Sequence, residues 1–266
     1  MASPKPLHGN ALTWSLLVFG ALATAAICVL LGRYPAPGFL PLDSLANDPI
    51  AQSILWDSRL PRVLGALLVG AVLAGAGATF QLVFANPLVE PGFLGVSSGA
   101  AFGAALALVL GATLGPWVSA AAFVSALVAL FLTVTLSHRF RYGGTVLRLV
   151  LAGITVSALF TAALAVLKYE ADPLRVLPDI VYWTLGGLTG LTWTSLAWLA
   201  PPALLSLALL WLGRARMDLL SLDDEVARSL GVNPRRERVL LLAVASLGVA
   251  ACVAAAGVVA WAGLVV

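Results

Sequence analysis

Long stretches of this chain carry no charged side chain: Ala11–Gly32, Val63–Glu90 up to its last residue, Pro91–Ser137, Leu149–Leu167 and Val239–Val266. A run of about 20 apolar residues is what an α-helix needs to cross a bilayer. In lipid every backbone N–H and C=O must be satisfied within the segment, which leaves helices as the solution for runs of this kind. The chain is 61% hydrophobic and only 10% charged, with a mean hydropathy of +1.02; a soluble domain carries about a quarter charged residues. The fold class that follows is all-α, a polytopic membrane helical bundle, with residues 1–266 forming a single transmembrane domain.

The first apolar run is too long for a signal-peptide core, and its leader holds only Lys5 as a basic residue, so it reads as an uncleaved first span, about Ala11–Leu31. A polar segment, Gly32–Ser58, follows, with Pro35, Pro37 and Pro41 and the acids Asp43, Asp48 and Asp57. Span two is about Val63–Phe84, where Gly70, Ala74 and Ala78, and likewise Ala71 and Gly75, recur at every fourth residue. Small residues at that spacing let helices approach closely in lipid. Asn86-Pro87 ends the span, and Glu90 reads as a helix cap in preference to a contact with a neighbouring loop. Span three is about Phe93–Leu110, span four Trp117–Leu136, span five Leu149–Leu167, and Ile180–Leu188 is too short to cross and reads as a half-helix. Span six is about Trp193–Leu212, and span seven begins near Val239. Cys28 and Cys252 lie inside apolar runs and read as packing residues.

Orientation follows from the basic residues. With the N-terminus inside, the inner segments hold Lys5, Arg139, Arg141, Arg148, Arg214, Arg216, Arg228, Arg235, Arg236 and Arg238, and the outer ones Arg33, Arg59, Arg62, Lys168 and Arg175. That asymmetry favours N-inside. Trp14, Trp56, Trp117, Trp193 and Trp211 stand near span ends, where tryptophan anchors at the interface.

One block breaks the apolar pattern. Arg214–Arg238 concentrates charge between spans six and seven. Ser221 with Asp224 three residues later reads as a capping box, and Asp223, Asp224 and Glu225 fill a first helical turn, where carboxylates suit the dipole. Leu222, Val226 and Leu230 fall at i, i+4 and i+8, one apolar stripe. Gly231 suits a C′ position, and Asn233-Pro234 restarts a helix. On pattern alone, a solvated loop and a docking element stand level.

Several chemistries are excluded or unsupported. Neither lysine belongs to a GxxxxGK loop, so ATP is not bound that way, and His8 and His138 stand alone, giving no metal-ligand spacing. No Ser-His-Asp arrangement suggests an enzyme. No Asp, Glu, Lys or Arg falls inside the seven spans, which weighs against a proton- or cation-driven carrier.

The motifs, in order, resemble those of the permease subunits of ABC importers for ferric siderophores, haem and cobalamin. They are Arg59-Leu60-Pro61-Arg62; Gly77 and Gln81 before Asn86-Pro87-Leu88; Glu90 through Ala100 (EPGFLGVSSGA); Leu151-Ala152-Gly153-Ile154; Trp183 through Leu188 (WTLGGL); Glu225 through Val232 (EVARSLGV); and Gly257 onward. The resemblance covers about residues 55–266 and departs at Trp261, where the family usually has Phe. It implies a ten-span bundle of which about seven are present, so that the chain, stopping at Gly263-Leu264-Val265-Val266, is expected to be a C-terminally incomplete piece.

The resemblance further implies a second permease chain, a cytoplasmic ABC ATPase dimer that holds the ATP, and a periplasmic or lipid-anchored substrate-binding protein. No cofactor and no nucleic acid are expected. The setting is the bacterial cytoplasmic (inner) membrane. The 214–238 block then reads as the coupling segment that meets the ATPase through Leu222, Asp223, Asp224, Glu225, Val226, Leu230 and Gly231. Arg59 and Arg62 read as docking points for the binding protein, Arg59 the stronger of the two, against a plainer role as headgroup anchors. The competing class is a membrane channel or scaffold subunit with no ATPase.

Overall fold

The computed structural model of the protein describes residues 11–34, 36–141 and 143–259. Lys5, His8, Pro35, Trp261 and the closing Gly263–Val266 lie outside the described residues. The chain groups into two compact units, Met1–Leu64 and Gly65–Val266.

The first unit opens with α1 (Ala11–Leu30), followed by a two-residue antiparallel ribbon, β1 (Leu31–Gly32) with β2 (Gly38–Phe39), in the register Leu31↔Phe39 and Gly32↔Gly38. The short helices α2 (Leu42–Asn47) and α3 (Pro49–Ser53) come next. Asp48 caps α3, its Oδ1 accepting from the Ile50 N–H at 2.9 Å, and its other oxygen accepts from the Tyr34 hydroxyl at 2.7 Å. That second bond holds the Asp48 carboxyl below its ordinary pKa and raises the Tyr34 phenol. A wide π-type turn, Ile54–Arg59, then leads into α4 (Leu60–Phe84).

In the second unit a 3₁₀ turn, Pro91–Leu94, precedes α5 (Val96–Val109), and the long helices α6 (Pro116–Arg139) and α7 (Thr145–Glu170) follow. Then come α8 (Val176–Leu185), α9 (Trp193–Leu212), α10 (Arg214–Leu220), α11 (Asp224–Ser229) and α12 (Pro234–Ala256). Seven spans are expected from the sequence; among the described residues five helical segments are long and apolar enough to cross a membrane, Pro49–Phe84, Pro116–Arg139, Thr145–Glu170, Trp193–Leu212 and Pro234–Ala256. The apolar parts of α1 and α5 are shorter. The helix α7 overruns its uncharged stretch at both ends, taking in Thr145–Arg148 and Lys168–Glu170.

One expectation about close packing is not met within this chain. Gly70 has open space beside it and Ala78 is exposed, so the Gly70–Ala74–Ala78 stripe of α4 faces away from the chain's own core; α4 buries Val69, Val72, Leu73, Ala76 and Phe80 instead. The close approach is made by α5. A Cβ at Gly99 would sit 2.6 Å from the Ala129 Cβ, and one at Gly103 would overlap the Ala121 carbonyl, so α5 and α6 meet backbone to backbone. The 3₁₀ turn is held between neighbours: Thr133 of α6 donates to the Leu94 carbonyl at 2.9 Å, while Gly153 of α7 leaves room for the Phe93 carbonyl, which a Cβ would approach to 2.6 Å. Gly95, at φ +84, separates the turn from α5 and explains why that helix starts at Val96.

The axis of this unit is α12. Its apolar window is 67% buried, against 22–44% for the other four, although it lies at the end of the described chain. Ser206 of α9 donates to its Val244 carbonyl at 2.8 Å, and Gly248 lets Ser206 and Val72 of α4 approach it closely.

Candidate functional site

The charged block folds as α10, a turn, α11, a glycine stop and the first turn of α12. The expected capping box is not formed. The Ser221 hydroxyl donates to the Asp218 carbonyl at 2.6 Å, ending α10, and the N-cap of α11 is Asp223, which makes no side-chain cap bond. Ser221 thus closes the helix before it instead of capping the one after it. Gly231 does adopt the left-handed conformation, φ +82, and the Asn233 side chain caps α12 by accepting from the Arg236 N–H at 3.2 Å with Pro234 at the first position.

Side chains hold the block together. Asp224 accepts two bonds from Arg238, the shorter 2.8 Å, and lies 3.8 Å from Arg228. Glu237 accepts both oxygens' worth of bonding from Arg216, at 2.9 and 3.0 Å. Arg238 keeps only 16% of its side chain exposed, so its pair with Asp224 is less screened than a surface pair. Of the α11 residues only Ala227 is buried. Leu222, Val226 and Leu230 are 43, 46 and 57% exposed, and the helix they flank is short, Asp224–Ser229, so Leu222 precedes it and Leu230 closes it. Asp223 and Glu225 are exposed beside them. These three apolar side chains are thus exposed at and around the short helix, with exposed carboxylates next to them in sequence.

The far end of α12 is built differently. A helix of this length runs about 34 Å, so Gly257 stands at the opposite end of the bundle from the block. There the C-terminal ends of α8 and α12 abut. The Gly187 N–H donates to the Ala256 carbonyl at 2.7 Å. Gly186, Gly187 and Gly257 have φ of +68, +156 and +69. A Cβ at Gly186 would overlap the Val258 carbonyl, and one at Gly257 the Trp183 carbonyl. The expected half-helix exists, shifted to Val176–Leu185, and its WTLGGL motif is one half of this joint. Nothing local in the sequence pairs Gly186 with Gly257.

In the first unit Arg59 is 9% exposed. Its Nη1 donates to the carbonyls of Val29 and Leu30, at 3.2 and 3.0 Å, the last of α1, and a Cβ at Gly32 would overlap the guanidinium. Arg59 therefore acts as a C-terminal cap for α1, its Nη1 engaged there. Arg62 is half-buried, with Nη2 3.4 Å from the Ser58 hydroxyl. Asn86 ends α4 as expected: Ala85 turns left-handed at φ +47 and the Asn86 side chain accepts from the Leu88 N–H at 2.9 Å. Glu90 occupies the N-cap position of the 3₁₀ turn without a side-chain cap bond.

Comparison with known proteins agrees with this architecture. The molybdate import system permease protein of Haemophilus influenzae is 37% identical over 99% of this chain and 77% of its own length. The hemin transport system permease protein of Yersinia pestis is 38% identical over 94% and 74%. The vitamin B12 import system permease protein of Pectobacterium atrosepticum is 39% identical over 82% and 65%. A solved structure described as an inward-facing conformation of a metal-chelate type ABC transporter superposes with a TM-score of 0.83 at 35% identity, over 94% of this chain and 79% of that one. The pattern of the FecCD transport family matches residues 16–266. The chain belongs to the FecCD transport family and is a membrane-spanning transport permease.

Proposed function

We propose that this permease carries a metal chelate (a ferric siderophore, haem or a cobalamin) across the cytoplasmic membrane in an importer driven by a separate ATPase, with its N-terminus and the 214–238 block inside. The observation that carries the coupling part is the outward patch of Leu222, Val226 and Leu230 on a block otherwise knit by ion pairs. An apolar patch bordered by carboxylates is a surface for a protein partner, and burying one Val or Leu contributes about 1.5–3 kcal/mol. The ATPase cleft is its proposed occupant, and Asp223, Asp224, Glu225 and Gly231 set the shape and position of the short helix. The second permease chain and an external binding protein complete the assembly, and the docking role on the outer face falls to Arg62, with Arg59 engaged on α1.

In this reading a shift of the block passes along α12, whose buried length leaves little slack, and reaches α8 through the backbone joint at Gly186 and Gly257. The half-helix α8 is the proposed outer gate. Val226→Asp places a charge in the patch; it should lower ATPase co-purification at least tenfold while the permease still inserts and melts as wild type. Undiminished co-purification contradicts the docking role. Cargo is tested by ATP-dependent uptake with the cognate binding protein. Molybdate is the second reading, because the molybdate permease matches nearly the whole chain; uptake of molybdate with no uptake of chelates selects it.

A further inference from the structure

At the end of the bundle that carries the charged block, a narrow cleft opens between the last turn of α6, the first turn of α7 and the first turns of α12. It is lined by Ser137, His138, Thr145, Arg148, Arg235 and Val239. Two guanidinium groups and an imidazole face one cleft with no carboxylate in its lining. The Arg148 Nε is held on the Gly143 carbonyl at 2.8 Å, which fixes that guanidinium in place. Arg235 Nη2 lies 3.0 Å from His138 Nδ1. Among the described residues neither arginine has an ion pair, and the nearby acids are engaged elsewhere, Glu237 with Arg216 and Asp224 with Arg238 and Arg228. The N-cap of α7, Gly144, offers no side-chain acceptor, so the positive end of that helix adds to the same field.

Like charges gathered without a counter-charge call for an anion. We propose that the basic rim of this cleft binds the phosphate of an anionic phospholipid headgroup. Planar arginine forks suit phosphate oxygens, and basic pockets between membrane-spanning helices are where such headgroups bind. Lipid is favoured over a soluble phosphate because α6, α7 and α12 are all long enough to span, which puts their ends at headgroup level. Leu147 and Leu240, adjacent in sequence to lining residues, are 51 and 44% exposed apolar side chains on the same helix ends. The inference goes beyond the transport reading and depends on neither the cargo nor the ATPase.

The test is native mass spectrometry of the purified permease titrated with phosphatidylglycerol or phosphatidylcholine, comparing R148Q/R235Q with R214Q/R236Q. The second pair removes the same charge from exposed arginines outside the cleft. Near a charged surface each arginine contributes about 1 kcal/mol, so phosphatidylglycerol affinity should fall about fivefold per cleft arginine and roughly thirtyfold for both, with the control pair close to wild type. R148K/R235K, which keeps the charge, should fall between; if the double Gln variant fails to fold, R235Q alone is read, since that side chain is exposed. Equal loss in the cleft and control pairs, or equal retention of the two lipids, overturns the proposal. So does displacement of the lipid by millimolar inorganic phosphate, which makes soluble phosphate the ligand. Loss of ATPase binding from the cleft variants with lipid retained assigns the cleft to the partner protein and overturns it too.

Discussion

The two ends of α12 are finished in opposite ways. At Asn233 the helix begins with a side-chain cap, and the block around it is held by side-chain ion pairs, with its apolar groups turned outward. At Gly257 it ends against α8 through backbone alone, with no space for a single added carbon on either glycine. Side-chain contacts at a surface are individually weak and can be exchanged for contacts with a partner. A backbone joint without side chains has few alternative arrangements. The comparison teaches that one end is suited to being engaged and released, and the other to following without slip.

The largest effect should come from the closed end. Gly257→Ala meets both a left-handed backbone and the Trp183 carbonyl, and should cost about 2–4 kcal/mol, read as a lowered melting temperature of the detergent-purified permease. A wild-type melting curve would break the comparison.

α1 supplies a third kind of helix end, finished by the Arg59 side chain. Arg59→Gln should cost about 1.5–3 kcal/mol, the range for bonds made by a charged donor. The loss should be insensitive to salt, because the guanidinium is buried. A defect confined to binding-protein capture, and relieved by salt, would return Arg59 to an external docking role.

At the open end, Asp224→Asn removes the pair with Arg238, and about 1 kcal/mol of stability should go with it. The sharper readout is faster proteolysis of the 214–238 segment with the melting temperature of the bundle nearly unchanged. An equal fall in both would show that the block is not separable from the core.

The smallest effect belongs to Tyr34→Phe. Asp48 has its carboxyl pKa lowered chiefly by the Tyr34 hydroxyl, so its contribution is present above the ordinary carboxylate value and lost as pH falls through the lowered one. Wild type and Tyr34→Phe should therefore differ in proteolysis of the 32–58 segment at neutral pH and converge in acid once the Asp48 carboxyl is protonated in both. A difference that persists in acid would contradict the assignment.

Much of this was legible in the residues. Uncharged runs located the spanning helices, since lipid leaves the backbone few alternatives, and Asn233-Pro234 and Gly231 announced their own conformations. The rest depended on partners distant in sequence. Spacing marks Gly70, Ala74 and Ala78 as one face of α4 without saying that the face points away from the core. Ser221 can close the helix before it or cap the helix after it, and only the folded chain shows that it closes α10. Arg59 looks like a surface charge until the end of α1 arrives beside it. Gly186 and Gly257 are ordinary glycines separately, and their meaning is their meeting.

The most direct test of the account asks which end of the bundle an ATPase touches. With Cys28 and Cys252 replaced by Ala, single cysteines are placed at Val226, in the open patch, and at Leu185, which is 75% exposed near the α8 joint. Membranes containing the full importer are then treated with a short photoactivatable thiol crosslinker. The account predicts a permease–ATPase adduct from Val226→Cys and none from Leu185→Cys. An ATPase adduct from Leu185→Cys, or none from Val226→Cys in complexes that demonstrably contain the ATPase, would contradict it.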